Sequence, residues 1–130
     1  MTSLTRAKQT DSAVDEKSRV LTEALLNSAN LLGITRTKLA EAVGVSDATM
    51  ARIARFEAPL KAGTKTFEFG VMIVRIFRSL DAIVAGDEAS MKSWRQTRNI
   101  ALGARPLDLI AKTDGIVHVL DYLDARRAPI

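Results

Sequence analysis

An all-α fold is expected from three features of the sequence. Large apolar residues recur at three- and four-residue spacings, and no stretch alternates apolar with polar residues as a strand would. The breaks between apolar runs fall on residues that cap, start or stop helices: Gly33, Gly44, Pro59, Gly86 and Pro106.

Taken in order, residues 1–15 are polar, of mixed charge and poor in large apolar groups, so they are expected to form a flexible arm. From about Glu16 the pattern turns helical, with Leu21, Ala24, Leu25, Ala29 and Leu32 on one face and Gly33 as C-terminal cap. TRTKLAEAV and SDATMARIARF follow as two short helices separated by Gly44, with Ser46 positioned to cap the second by accepting a backbone N–H near Thr49. Residues 60–66 read as a loop or a frayed helix start. The next helix carries ten large apolar residues between Phe69 and Val84, nearly all round, and must be buried within the domain or between two subunits. EASMKSWRQTRN is a short amphipathic helix that docks through Met91 and Trp94. Pro106 suits the first turn of another, with Leu107 and Ile110 inward. The last helix takes Thr113 as its cap and buries Ile116, Val119, Leu120 and Leu123. The chain thus divides into an arm (1–15), a helix-turn-helix module (16–60) and a second helical domain (61–130).

Composition narrows the function. The 130 residues are 47% hydrophobic and 26% charged, enough for a real core but too few for a large barrel or a doubly wound nucleotide-binding domain. Cysteine is absent, which removes disulfide frameworks, cysteine zinc sites and thiol nucleophiles. The single histidine, His118, sits in an ordinary helical pattern. No glycine-rich phosphate loop, paired carboxylate site or nucleophile elbow is present, so an enzyme is not expected, nor a cofactor or metal. The net charge of +4 favours an acidic partner, and the second half is the more basic, with 11 basic against 8 acidic residues. No segment resembles a signal peptide or a membrane span, and a cytoplasmic protein is expected. Six aromatic rings dispersed mainly on apolar faces do not make a stacking platform for single-stranded nucleic acid.

The strongest local motif is TRTKLAEAVGVSDATMARI, whose helix lengths and turn suit a recognition helix in the DNA major groove. Ala40 is small enough for the helix crossing, and Val45, Met50 and Ile53 hold the crossing from inside. Ser46, Asp47, Ala48, Ala51 and Arg52 would face the bases, with Arg36, Thr37 and Lys38 near the phosphates. Arg52 is the base-edge candidate, because a fork of donors reads guanine bidentately. The same geometry also serves as plain packing. Two further features have bland readings beside sharper ones. The basic stretch Lys92, Arg95, Arg98 and Arg105 is either a solvated face or a partner site. The ending DARRAPI is either a frayed helix end with cations complementing the dipole or a short peptide able to enter a cleft.

The assembled string resembles a known family. RIFRSLDAIVAGDEASMKSW, followed by NIALGARPLDLIAKTDGIVHVLDYLDA, resembles the toxin-binding domain of the Xre/MbcA/ParS-type antitoxins, and the upstream helix-turn-helix resembles their Xre-like module. The resemblance covers roughly residues 20–127 and rests most on Trp94, Asn99, Leu102-Gly103, the run Arg105 to Leu109, and Gly115. It departs from the family at Arg95, at Arg98, where a proline often precedes the asparagine, and at Ala104, where a second glycine is common. The resemblance implies a RES-domain toxin that depletes NAD as partner, operator double-stranded DNA as a second, and a homodimer. It also implies a steric mechanism, in which Arg105 and Asp108 shape a loop while Tyr122, Arg126, Arg127 and Ile130 face the toxin. A homodimeric repressor with no toxin partner, and an interaction adaptor that never meets DNA, are the competing expectations.

Overall fold

The computed structural model describes the backbone of residues 2–127 and the side chains of residues 16–126. Among the described residues there are seven helices and no strand: α1 (Thr2–Leu32), α2 (Arg36–Val43), α3 (Asp47–Ala54), α4 (Lys65–Val84), α5 (Glu88–Gln96), α6 (Pro106–Ile110) and α7 (Thr113–Arg127). The all-α expectation holds. Helix α1 begins upstream of the start near Glu16 that its periodicity predicts. The side chains of the expected arm, residues 1–15, lie outside the described residues.

Helix α4 organises the molecule. It packs along α1 on one side and α7 on another, and also meets α2 and α5. The approach to α1 is close because Gly70 has no side chain: a Cβ there would stand 3.2 Å from Leu60 and 3.3 Å from Leu25. Thr64 caps α4, its hydroxyl accepting from the N–H of Phe67 at 3.2 Å. Of the nearly all-round apolar surface, Ile73, Val74, Ile76 and Leu80 are buried, while Phe67, Phe69, Met72, Phe77 and Val84 are partly covered. The chain itself therefore covers most of this helix. What remains is an open groove of about 590 Å³ between α1 and α4, floored by Val20, Leu21, Ala24, Phe67 and Val71 and edged by Glu16, Lys17, Arg75 and Arg78.

Two polar side chains in the core have structural work. Thr22, with no exposure, donates to the Ser18 carbonyl at 2.6 Å and accepts from the backbone N–H of Leu60 at 3.1 Å. Ser18 accepts from the N–H of Ala62 at 3.3 Å. Together they satisfy donors of the segment between α3 and α4, which α1 would otherwise bury unpaired. Thr22→Val keeps the shape and leaves the Leu60 N–H unsatisfied, so it is expected to cost about 1–3 kcal/mol, read as a lower midpoint of urea unfolding. An unchanged midpoint would show that the bond to Leu60 contributes nothing.

The remaining helices close the other side of α4. Helix α5 buries Met91 and half-buries Trp94, α6 starts on a buried Pro106 and fully buries Ile110, and α7 buries Ile116, Val119, Leu120 and Leu123. Thr113 is the first residue inside α7 rather than its cap; the N–H of Ile116 reaches the Lys112 carbonyl at 2.9 Å, one residue earlier than expected. Arg75 on α4 and Asp124 on α7 add an exposed ion pair at 3.1 Å.

Candidate functional site

Two surfaces gather the residues singled out in the sequence. The first is α2–α3. Thr35 caps α2 by accepting from the N–H of Lys38 at 3.2 Å, and Gly44 ends it with a φ of +82°, a left-handed turn that glycine adopts without strain. Ser46 caps α3 as expected, accepting from the N–H of Thr49 at 3.1 Å. Leu39, Ala40, Val43, Met50 and Ile53 are buried, Ala40 nearly completely, and Val45 packs against them half-buried. The outer side presents Arg36, Thr37, Ser46, Asp47, Ala48 and Arg52 to solvent, with Lys38 and Ala51 half-buried. Arg36 and Arg52 make no ion pair among the described residues. The Ser46 hydroxyl is engaged locally, donating to Thr49 Oγ1 at 3.0 Å. Arg55, at the end of α3, is held by both carboxylate oxygens of Glu57 at 3.0 and 3.2 Å.

The second surface is built on the loop between α5 and α6, and Asn99 organises it. Its backbone N–H donates to the Ala104 carbonyl at 3.0 Å, its carbonyl accepts from Gly103 at 2.8 Å, and its side-chain oxygen accepts from the N–H of Leu102 at 3.0 Å. The side-chain amide then donates to the Tyr122 hydroxyl on α7 at 3.3 Å. That hydroxyl also accepts from Arg126 at 3.2 Å, whose guanidinium lies 5.6 Å from the Tyr122 ring centre, within cation–π range. On the other side of the loop Arg105 is bidentate to Asp108 at 2.9 and 3.1 Å. The hydrogen-bonded Asp108 carboxylate raises the Arg105 pKa above its ordinary value. Tyr122 and Arg126 are thereby tied to the Asn99 loop, and Arg105 and Asp108 to each other where the loop enters α6. The side chains of Arg127 and Ile130 lie outside the described residues. Ala104 has no left-handed backbone, so alanine is accommodated there without strain.

The basic stretch does not act as one patch. Arg95 turns inward: its Nη1 donates to the Leu31 carbonyl at 2.8 Å, and the guanidinium lies over Gly33, 3.1 Å from where a Cβ would stand. It thus caps the C-terminal end of α1, where carbonyls lack partners and a cation is favoured. Arg105 is paired, leaving Lys92 and Arg98 exposed. No sequence signal marks this capping role of Arg95, because its partner is 64 residues away.

A family described as the antitoxin Xre/MbcA/ParS C-terminal toxin-binding domain matches residues 79–128, and one described as the antitoxin Xre-like helix-turn-helix domain matches residues 13–75. The chain belongs to the Xre-type antitoxins. The first match contains the whole Asn99 loop with α6 and α7, and the second contains both α2 and α3; they meet inside α4. No individual curated protein matches the antitoxin significantly. Among the described residues no helix is long and apolar enough to cross a membrane, and no cluster of His, Cys, Asp or Glu could hold a metal. The antitoxin therefore carries two binding modules on one helical body, joined through α4 and the Arg95 cap.

Proposed function

We propose that the antitoxin silences a RES-domain, NAD-depleting toxin by covering its active-site entrance with the Asn99 loop, α6 and α7. The reading is carried by the toxin-binding family match over residues 79–128. It is supported by the hydrogen bonds that hold Tyr122 and Arg126 to the Asn99 loop and pair Arg105 with Asp108 at the start of α6. A surface whose side chains are already held by hydrogen bonds loses little freedom on binding, which favours a tight complex. Arg127 and Ile130 extend the contact toward the toxin's cleft. Through α2 and α3 the antitoxin, as a homodimer, represses its own operon in the cytoplasm, with Arg52 reading a base edge beside Ser46, Asp47, Ala48 and Ala51. Arg36, Thr37 and Lys38 hold phosphates.

The test is intracellular NAD in cells expressing the adjacent reading frame alone and together with the antitoxin, followed by co-purification of the two proteins. NAD should collapse in the first case and recover in the second, with a stable complex. If the neighbouring protein leaves NAD untouched and does not bind, the reading fails and a homodimeric repressor without a toxin takes its place. Operator binding is checked separately: affinity for a two-fold-related site should fall steeply with salt, as counterion release requires, and Arg52→Ala should lower discrimination by about 1–3 kcal/mol.

A further inference from the structure

The Asn99 loop carries a feature that packing within the chain does not explain. Ile100 is 96% exposed, whereas the next most exposed large apolar side chain among the described residues, Val20, is 59% exposed. Isolated apolar residues on a surface are ordinary. Ile100 differs in how it is held. The residue before it, Asn99, makes three hydrogen bonds within the loop and a fourth to Tyr122, and Leu102, two residues on, is buried. The loop's bonding thus sends Leu102 inward and holds Ile100 out. Its neighbours Ala101 and Gly103 are exposed and small, so nothing beside them shields it.

We infer that Ile100 is the apolar anchor of the toxin interface, seated in an apolar pocket of the toxin bordered by carboxylates. This rests on the toxin-binding reading above. Three observations favour a toxin over other occupants. The loop lies within the toxin-binding match, it is hydrogen-bonded to Tyr122 and through it to Arg126, and exposed Arg98 and Arg126 give its surroundings a positive charge that acidic groups would complement. DNA phosphates offer an isoleucine no partner. Interface energy concentrates on a few side chains that fill pockets near the centre of the contact, and an anchor held rigid before binding requires little ordering.

The experiment titrates the full-length antitoxin and its Ile100→Val, Ile100→Ala and Ile100→Asp variants with the protein encoded by the adjacent reading frame. Thermal melts, operator binding and sedimentation of the antitoxin alone are recorded in parallel. The expected result is near-native affinity for Ile100→Val, a loss of about tenfold for Ile100→Ala and about a hundredfold or more for Ile100→Asp, with melts and operator binding unchanged. Affinity of Ile100→Asp within about threefold of the parent overturns the inference and leaves the toxin reading standing. A change in the sedimentation of Ile100→Asp without a change in toxin affinity overturns it in favour of a second copy of the chain. If the parent antitoxin does not bind the neighbouring protein, the toxin reading fails and the inference fails with it.

Discussion

Gly115→Ala is expected to dismantle the packing of α6 against α7. Gly115 is buried in the first turn of α7, and a Cβ there would run into the Leu109 carbonyl oxygen and stand 2.7 Å from its carbon. These are backbone atoms, so no rotamer change relieves the contact. The helices must separate, which exposes Ile110 and Ile116, both fully buried. A loss of at least about 3 kcal/mol follows, at the upper end for overpacking, and the melting temperature should drop by roughly 10 °C or more. On the toxin surface proposed above, Arg105 and Asp108 sit on one side of this contact and Tyr122 and Arg126 on the other, so toxin binding should fall with it. Gly103→Ala separates the steric cause from a general intolerance of side chains at glycines. Its φ of +78° strains alanine, but nothing stands within 4 Å, so about 1 kcal/mol is expected. Equal effects of the two substitutions would disprove the steric account.

Much of this fold was legible because its punctuation is local. Ser46, Gly33 and Gly44 act within four or five residues of themselves, and short side chains or glycines at helix ends have few alternatives. Local rules were insufficient elsewhere. Ala85 ends α4 with a left-handed φ of +52°, a place where the neighbouring Gly86 was the natural expectation. Both residues are left-handed, and alanine gives no warning of it. The candidate site was legible in part: family resemblance marked Arg105, Asp108, Tyr122 and Arg126, and the structure ties Tyr122 and Arg126 to the Asn99 loop while Arg105 and Asp108 pair at its far end. That Ile100 points out while Leu102 points in was not legible, because the direction depends on the loop's own hydrogen bonds and on Tyr122, 23 residues from Asn99. Burial also limits one obvious experiment. Removing all residues after Asp121 would delete Leu123, which has no exposure, and so would damage the core along with the toxin surface. Substitution of Arg126, which is exposed, isolates the surface.

Ile76→Ala is expected to destabilise both modules at once. Ile76 lies in α4 between the two family matches, and its side chain is completely buried. Truncating such a residue removes its transfer free energy and leaves a cavity, together about 2–5 kcal/mol. Because α4 packs against α1 and α2 as well as α5 and α7, no part of the body is insulated from the loss. The Arg95 bond to the Leu31 carbonyl strengthens the same coupling from outside the core. Hydrogen exchange should therefore show α2, α3 and α7 losing protection by similar factors, and thermal unfolding should remain a single transition. If α7 alone loses protection while α2 and α3 keep theirs, the two binding modules are independent domains that share a helix only in sequence. A single transition carries a functional consequence. Toxin binding on the Asn99 loop would stabilise the helix-turn-helix through α4, since a ligand that binds only the folded state raises the stability of every element in the cooperative unit. Operator binding would strengthen toxin binding to the same extent only where the two sites differ in affinity between shared conformations, and the symmetry of that coupling is measurable from either side.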